Sequence, residues 1–151
     1  MSSFAHLVRR AAGSIRNDAP GDDAVAVAAG VLTAAEFDLW CAMAGRDQRH
    51  SLVVLGRFDG LCPAATRAER AAALLHDVGK TASALGWTMR VVATVLGAFG
   101  LRPGRRFREY HDHERVGAQM LRGISDDRTI GLVGGTANDE TAAALRRADD
   151  V

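Results

Sequence analysis

The chain has 151 residues, 25% of them charged and 48% hydrophobic, the length and balance of one soluble globular domain with room for a real core and none for a second domain. Its 19 basic and 18 acidic residues leave a formal charge of +1, so no global field draws it to nucleic acid or to an anionic membrane, and specific nucleic-acid binding is not expected. Cys41 and Cys62 form no Cys-x-x-Cys pair, which argues against a structural zinc knuckle and for thiols in a reducing, cytoplasmic setting.

Residues 1–16 lack the apolar core and cleavage site of a secretory signal. Phe4, Leu7, Val8, Ala11, Ala12 and Ile15 recur at helical spacing, predicting an amphipathic helix over 4–16 whose apolar stripe must dock. Asn17 to Asp23 reads as a loop. The Ala/Val/Gly run to Gly30 is open between helix and irregular packing. Thr33-Ala34-Ala35-Glu36 is a capping box, and Phe37, Trp40, Cys41 and Ala44 form the apolar face of the helix it starts. Gly45 is expected to interrupt that helix. A second one carries His50 near its start, at the edge of an apolar face with Val53, Val54 and Arg57.

Pro63 suits the first turn of the next helix. Its alanines lead to His76-Asp77-Val78-Gly79-Lys80, where Gly79 is expected to stop the helix in a left-handed cap and Lys80 could meet an anion. A turn over 81–86 precedes an apolar helix over 87–99. Its Val91–Leu101 stretch is about half the roughly 20 residues of a membrane span, so a buried helix is favoured. A membrane or oligomer contact by this helix and the N-terminal one is the other option. Gly100 to Gly104 breaks the pattern, Arg105 to Tyr110 is a basic turn or short helix, and a helix runs on from His111 to Gly123. Ser125-Asp126-Asp127 is an N-cap region, Gly134-Gly135-Thr136 ends the short element after it, and a last helix starts at Asp139. No stretch alternates with period two, so the fold class is all-α.

In order, the candidate ligands are His50, His76-Asp77, His113 and a late Asp, all on predicted helices. This pattern resembles the HD-domain superfamily of metal-dependent phosphohydrolases, which carries a His, then a His-Asp doublet, then a distant Asp. The matching segments are Gln48-Arg49-His50-Ser51-Leu52, His76-Asp77-Val78-Gly79-Lys80 and Ala148-Asp149, and His113 to Ala118 looks like the His-x-x-x-Gly-Ala segment of two-metal members. The resemblance spans about residue 33 to the end of the chain. It implies a single compact helical domain of the HD type over 33–151, with residues 1–32 a helix and loop that are packed or accessory.

His111 and His113 lie about 200° apart on a helix, so only one of them can face a given metal, and His113 fits the spacing to Gly117. A glycine at 117 would also let another helix approach closely. Asp149 is four residues after Leu145 and shares its inward face, whereas Asp150 turns about 100° away and reads as solvated. Asp149 also lies close to the chain end, where helices fray.

The resemblance implies a divalent transition metal, Mn, Fe, Zn or Ni, held by His50, His76, Asp77, His113 and Asp149. Water activated at such an ion would attack phosphorus in line, with Asp77 and Lys80 as catalytic residues. Lys80, His111, Arg105 and Arg106 are candidate substrate-binding residues, although an arginine run is more often a solvated surface. The expected substrate is a small phosphate ester, a nucleotide or related molecule. The Gly-Tyr-Pro extension of cyclic-di-GMP phosphodiesterases is absent from the sequence.

One departure stands out. Two-metal members usually carry another His before the final Asp, where this chain has Ile130 to Asn138 with glycines at 134 and 135. The expectation is therefore one metal, or a second site completed by Asp139 or Glu140, or a second site lost with activity. The alternative function is a catalytically silent HD-fold binding or regulatory module. The oligomeric state is open.

Overall fold

The computed structural model describes residues 19–81 and 106–150, with backbone alone for 106–112. Among the described residues there are seven helices and no strand: α1 (Asp22–Val31), α2 (Ala34–Cys41), α3 (Gly45–Leu61), α4 (Arg67–Leu75), α5 (Arg106–Leu121), α6 (Asp127–Val133) and α7 (Glu140–Asp149). The chain is all-α, and no helix among the described residues is long and apolar enough to cross a membrane. The expected helices over 4–16 and 87–99, the break before Arg105 and Arg105 itself lie outside the described residues.

α4 is the centre. Ala71, Ala72, Ala73, Leu74 and Leu75 are all fully buried, as befits a second half of the helix that is apolar on every side. Its alanines let α3 and α6 pack closely, and each buried leucine adds roughly 1.5–3 kcal/mol of transfer free energy. α7 rests on α3, α5 rests on α6, and α1 and α2 pack on α4. Ala28 and Val31 of α1 belong to the same core as Trp40, Phe58 and Leu121, so the ambiguous run before Gly30 is a helix docked in the main body.

The α2–α3 corner is fixed by one amide and one indole. Gln48 Nε2 lies 3.1, 3.1 and 3.2 Å from the carbonyls of Trp40, Cys41 and Met43, donating to the carbonyl end of α2. Trp40 Nε1 donates to Ser51 Oγ at 2.9 Å, and that hydroxyl donates to the Gln48 carbonyl at 2.8 Å. Gly45 opens α3 rather than interrupting a helix; the break falls at Ala42–Ala44.

Two capping boxes repeat one design. Thr33 and Glu36 start α2 as expected, and Thr66 and Glu69 start α4 in the same way. Pro63 sits in the turn before α4, where the Ala65 amide donates to the Cys62 carbonyl at 3.0 Å, not in the first helical turn. Each box glutamate then reaches an arginine two helices further along the chain. Arg67 binds Glu36 at 2.9 Å and also Asp126, the N-cap residue of α6. Arg128 binds Glu69 at 2.8 Å and Asp139, the N-cap residue of α7, at 2.6 Å. The N-termini of α2, α4, α6 and α7 are thus tied together at one end of the bundle.

Gly79 does not take the left-handed conformation; among the described residues only Gly123 and Gly135 have positive φ, at 81° and 66°. Gly79 serves close approach instead. A Cβ there would lie 1.9 Å from the His113 carbonyl oxygen and 2.8 Å from the Gly117 nitrogen. Gly117 returns the contact, since a Cβ on it would meet the Gly79 nitrogen at 3.3 Å and Val133 Cγ1 at 3.1 Å. The close approach expected of Gly117 is therefore present, with Gly79 as its counterpart.

Candidate metal centre

At the other end of the bundle, the C-terminal ends of α4, α6 and α7 surround a cavity of about 400 Å³. Helix C-termini carry partial negative charge. Four carboxylates, Asp77, Glu114, Asp149 and Asp150, line the cavity against two cations, Lys80 and Arg146. An excess of two negative charges is what a divalent cation would cancel.

His76 is the C-cap residue of α4 and keeps helical geometry, φ −55° and ψ −31°. Its Nδ1 is 2.9 Å from the Ala73 carbonyl oxygen. A carbonyl only accepts, so Nδ1 carries the hydrogen and donates it, which leaves Nε2 of the neutral ring with its lone pair toward the cavity. That buried nitrogen has no hydrogen-bond partner. Asp149 Oδ1 stands 3.2 Å away and Asp77 Oδ2 3.5 Å away, and neither makes a hydrogen bond with it.

His50 reaches the same place from α3. Gln48 and Ser51 face α2, and His50, about 200° round from Gln48, faces the opposite way. Its Nε2 is 2.8 Å from Asp149 Oδ1, and its ring meets that of His76 edge-on with centroids 5.4 Å apart. Asp149 is the last residue of α7, yet that end is fastened: Ala148 is buried, and Arg57, two turns along α3 from His50, reaches the Ala148 carbonyl at 3.5 Å.

One donor atom each from His50, His76 and Asp149 lies within 4.8 Å of the others. Ligands about 2.1 Å from a shared ion stand roughly 3–4 Å apart, so a small inward adjustment would complete three bonds. The hydrogen-bonded Nδ1 of His76 is the usual second partner of a metal-binding imidazole. Two imidazole nitrogens and a carboxylate oxygen fit the mixed-donor preference of Mn, Fe, Zn or Ni.

The titration behaviour follows from the same contacts. The hydrogen bond from His50 and the His76 ring beside it hold the Asp149 carboxyl far below the usual carboxylate range, against a smaller opposing effect of burial. Burial works against charge on His76, but Asp149, Asp77 and the Ala73 carbonyl together outweigh it and raise its pKa. The cluster thus draws positive charge to one point, which a proton or a metal ion can supply.

Of the five candidate ligands, His50, His76 and Asp149 converge. Asp77 borders them, only 4% exposed, with its Oδ2 held by Lys80 Nζ at 2.6 Å. Lys80 is thus the partner of Asp77 rather than an unengaged anion binder. His113 lines the cavity without joining the three-donor cluster. α5 already begins at Arg106, so His111 lies on the same continuous helix as His113; the side chains of Arg106 and His111 lie outside the described residues.

Of the glycines in place of a second-site His, the first has a packing role. A Cβ on Gly134 would lie 2.9 Å from Ala118 Cβ, so α5 occupies the room a side chain there would need; a Cβ on Gly135 would meet only the flexible end of Glu114, at 2.9 Å from Oε2, and it is the φ of 66° that favours glycine there. Asp139 offers no substitute: it caps α7 by accepting from the Ala142 amide at 2.9 Å and binds Arg128. Asp139 and Glu140 start the helix that Asp149 ends, about 13–15 Å away along its axis.

Sequence reasoning passed over two cavity residues, Glu114 and Arg146. Arg146 was accessible through spacing, because it precedes Asp149 by three residues and shares its side of α7. Asp150 is exposed, as expected, and also borders the cavity. Comparison of the chain with family models, with curated proteins and with solved structures returned no match.

Proposed function

We propose that the chain is an HD-domain protein and a metal-dependent phosphohydrolase acting on a small phosphate ester, a nucleotide or a related molecule. The observation that carries this reading is the buried, unpartnered Nε2 of His76, facing His50 and Asp149 in a cavity with excess negative charge. The His, His-Asp, Asp order of the sequence supplies the family, and the free thiols of Cys41 and Cys62 suit a cytoplasmic setting.

His50, His76 and Asp149 would hold the ion, which when bound supplies Lewis acidity toward a phosphoryl oxygen and a water molecule. The remaining work falls to the chain. The Ala73 carbonyl keeps the His76 tautomer fixed, and Lys80 holds Asp77 Oδ2 beside the cluster. Asp77 would take the proton released by an attacking water, and Lys80 would steady the charge that builds on phosphorus-bound oxygen. The packed glycine at 134 favours one metal over two.

Metal content and a panel of phosphomonoesters, phosphodiesters and nucleotides test the reading together. One Mn, Fe, Zn or Ni per chain, with turnover abolished in His76→Ala, is the expected result. A protein that takes up no metal and hydrolyses none of the panel overturns it.

A second reading draws on the same glycine. With no room for a second-site imidazole, the chain would be a binding or regulatory module that takes up metal and a phosphorylated ligand without turning it over. Saturable ligand binding with no product formed selects this reading.

A further inference from the structure

We infer that Arg146 is the residue that grips the phosphate group of the ligand, an assignment that rests on the metal-dependent reading above and adds a binding role no sequence motif marks. Two cations line the cavity, and they are not equivalent. Lys80 Nζ is engaged by Asp77 Oδ2 at 2.6 Å. The Arg146 guanidinium has neither a hydrogen bond nor an ion pair among the described residues, although it borders the same cavity as Asp149.

The position suits the task. Arg146 lies one helical turn before Asp149 on α7, so a group anchored near Asp149 comes within reach of a side chain from the same face. The guanidinium is planar, always charged and offers paired N–H donors that match two phosphate oxygens at once, which an ammonium cannot do. Charge balance makes the residue necessary as well as available. With a divalent ion in place the four carboxylates and two cations of the lining sum to zero, and loss of Arg146 would leave a net negative cavity facing an anion. Arg147, the next residue, is exposed like Arg146 but does not line the cavity.

The test uses the full chain loaded with Mn and inorganic phosphate as the probe, with phosphate binding followed by calorimetry and metal content measured on the same samples. Arg146→Ala is expected to keep its metal and its melting temperature while phosphate binding weakens roughly tenfold or more, the loss expected for a charge-assisted pair. Arg146→Lys should recover part of the affinity, and Arg147→Ala, which removes the same charge one residue away, should match the wild type. Equal phosphate affinity in wild type and Arg146→Ala, both carrying metal, overturns the assignment and leaves the metal site standing. Equal weakening in Arg147→Ala overturns it too, because the effect is then one of general charge. A wild-type chain that takes up no Mn overturns the underlying reading instead, and the assignment with it.

Discussion

His50 Nε2 and Asp149 Oδ1, 99 residues apart in the chain, meet at 2.8 Å. The contact joins the second turn of α3 to the last residue of α7 and brings both beside the buried nitrogen of His76. On the proposed reading a metal ion would replace this hydrogen bond with coordination bonds, and ion binding would then be coupled to folding.

Metal should therefore raise thermal stability. An ion present at about 100 times its Kd adds roughly 2.7 kcal/mol, which for a domain of this length corresponds to about 5–10 °C in Tm. Thermal scans with Mn or Zn should show the rise and a chelator should reverse it. His76→Ala and Asp149→Ala should show neither.

Gly79→Ala should be severely destabilising. A methyl group 1.9 Å from the His113 carbonyl oxygen cannot be accommodated without moving α5 off the doublet turn, and overpacking of this kind costs about 3 kcal/mol or more. Gly117→Ala meets Val133 Cγ1 at 3.1 Å and the Gly79 nitrogen at 3.3 Å, so its cost should be smaller, about 1–2 kcal/mol. Urea unfolding of the two variants gives the order.

Gln48 touches no candidate ligand, yet Gln48→Ala should weaken metal binding. Its amide caps the end of α2 and sets the α2–α3 corner that aims His50 across the cavity. Losing a buried donor to several carbonyls costs about 1–3 kcal/mol, and the freed corner should lower metal affinity by roughly tenfold, in the range seen for supports behind a ligand. Metal titration followed by calorimetry reads this directly.

Acidification should unfold the chain partly through Glu36. Burial favours the neutral form of this fully buried carboxyl, but the Thr33 amide, Ser125 and Arg67 together hold its pKa below the ordinary value of 4.5. A depressed carboxyl stabilises the fold fully above its unfolded pKa and loses that contribution as pH falls through the folded value. Stability measured by denaturant should thus decline below about pH 4.5. Glu36→Gln should be less stable at neutral pH and show a shallower decline.

The all-α class and the Thr33–Glu36 box were legible because each depends on local spacing. Gly79 was misread for a physical reason: a glycine after a helix suits a left-handed cap and a tight helix contact equally well, and only the partner, His113 on a distant helix, decides. Pro63 drew attention three residues before the actual cap, though Thr66-Arg67-Ala68-Glu69 carries the same pattern as Thr33 to Glu36. The meaning of Gly134 depends on Ala118 on α5, which spacing within α6 cannot reveal. Arg146 was hidden by its neighbour, since two adjacent arginines look alike until the cavity separates them.

The two arginine relays lie at the helix starts, while the cavity lies where α4, α6 and α7 finish. α4 alone puts about 13 Å between its first residue and His76. The ties that hold the helices and the candidate site therefore occupy opposite poles of the bundle. Substitutions around the cavity can alter what is bound there while the far pole keeps the helices in register, and strengthening the relays can raise heat tolerance with the chemistry untouched.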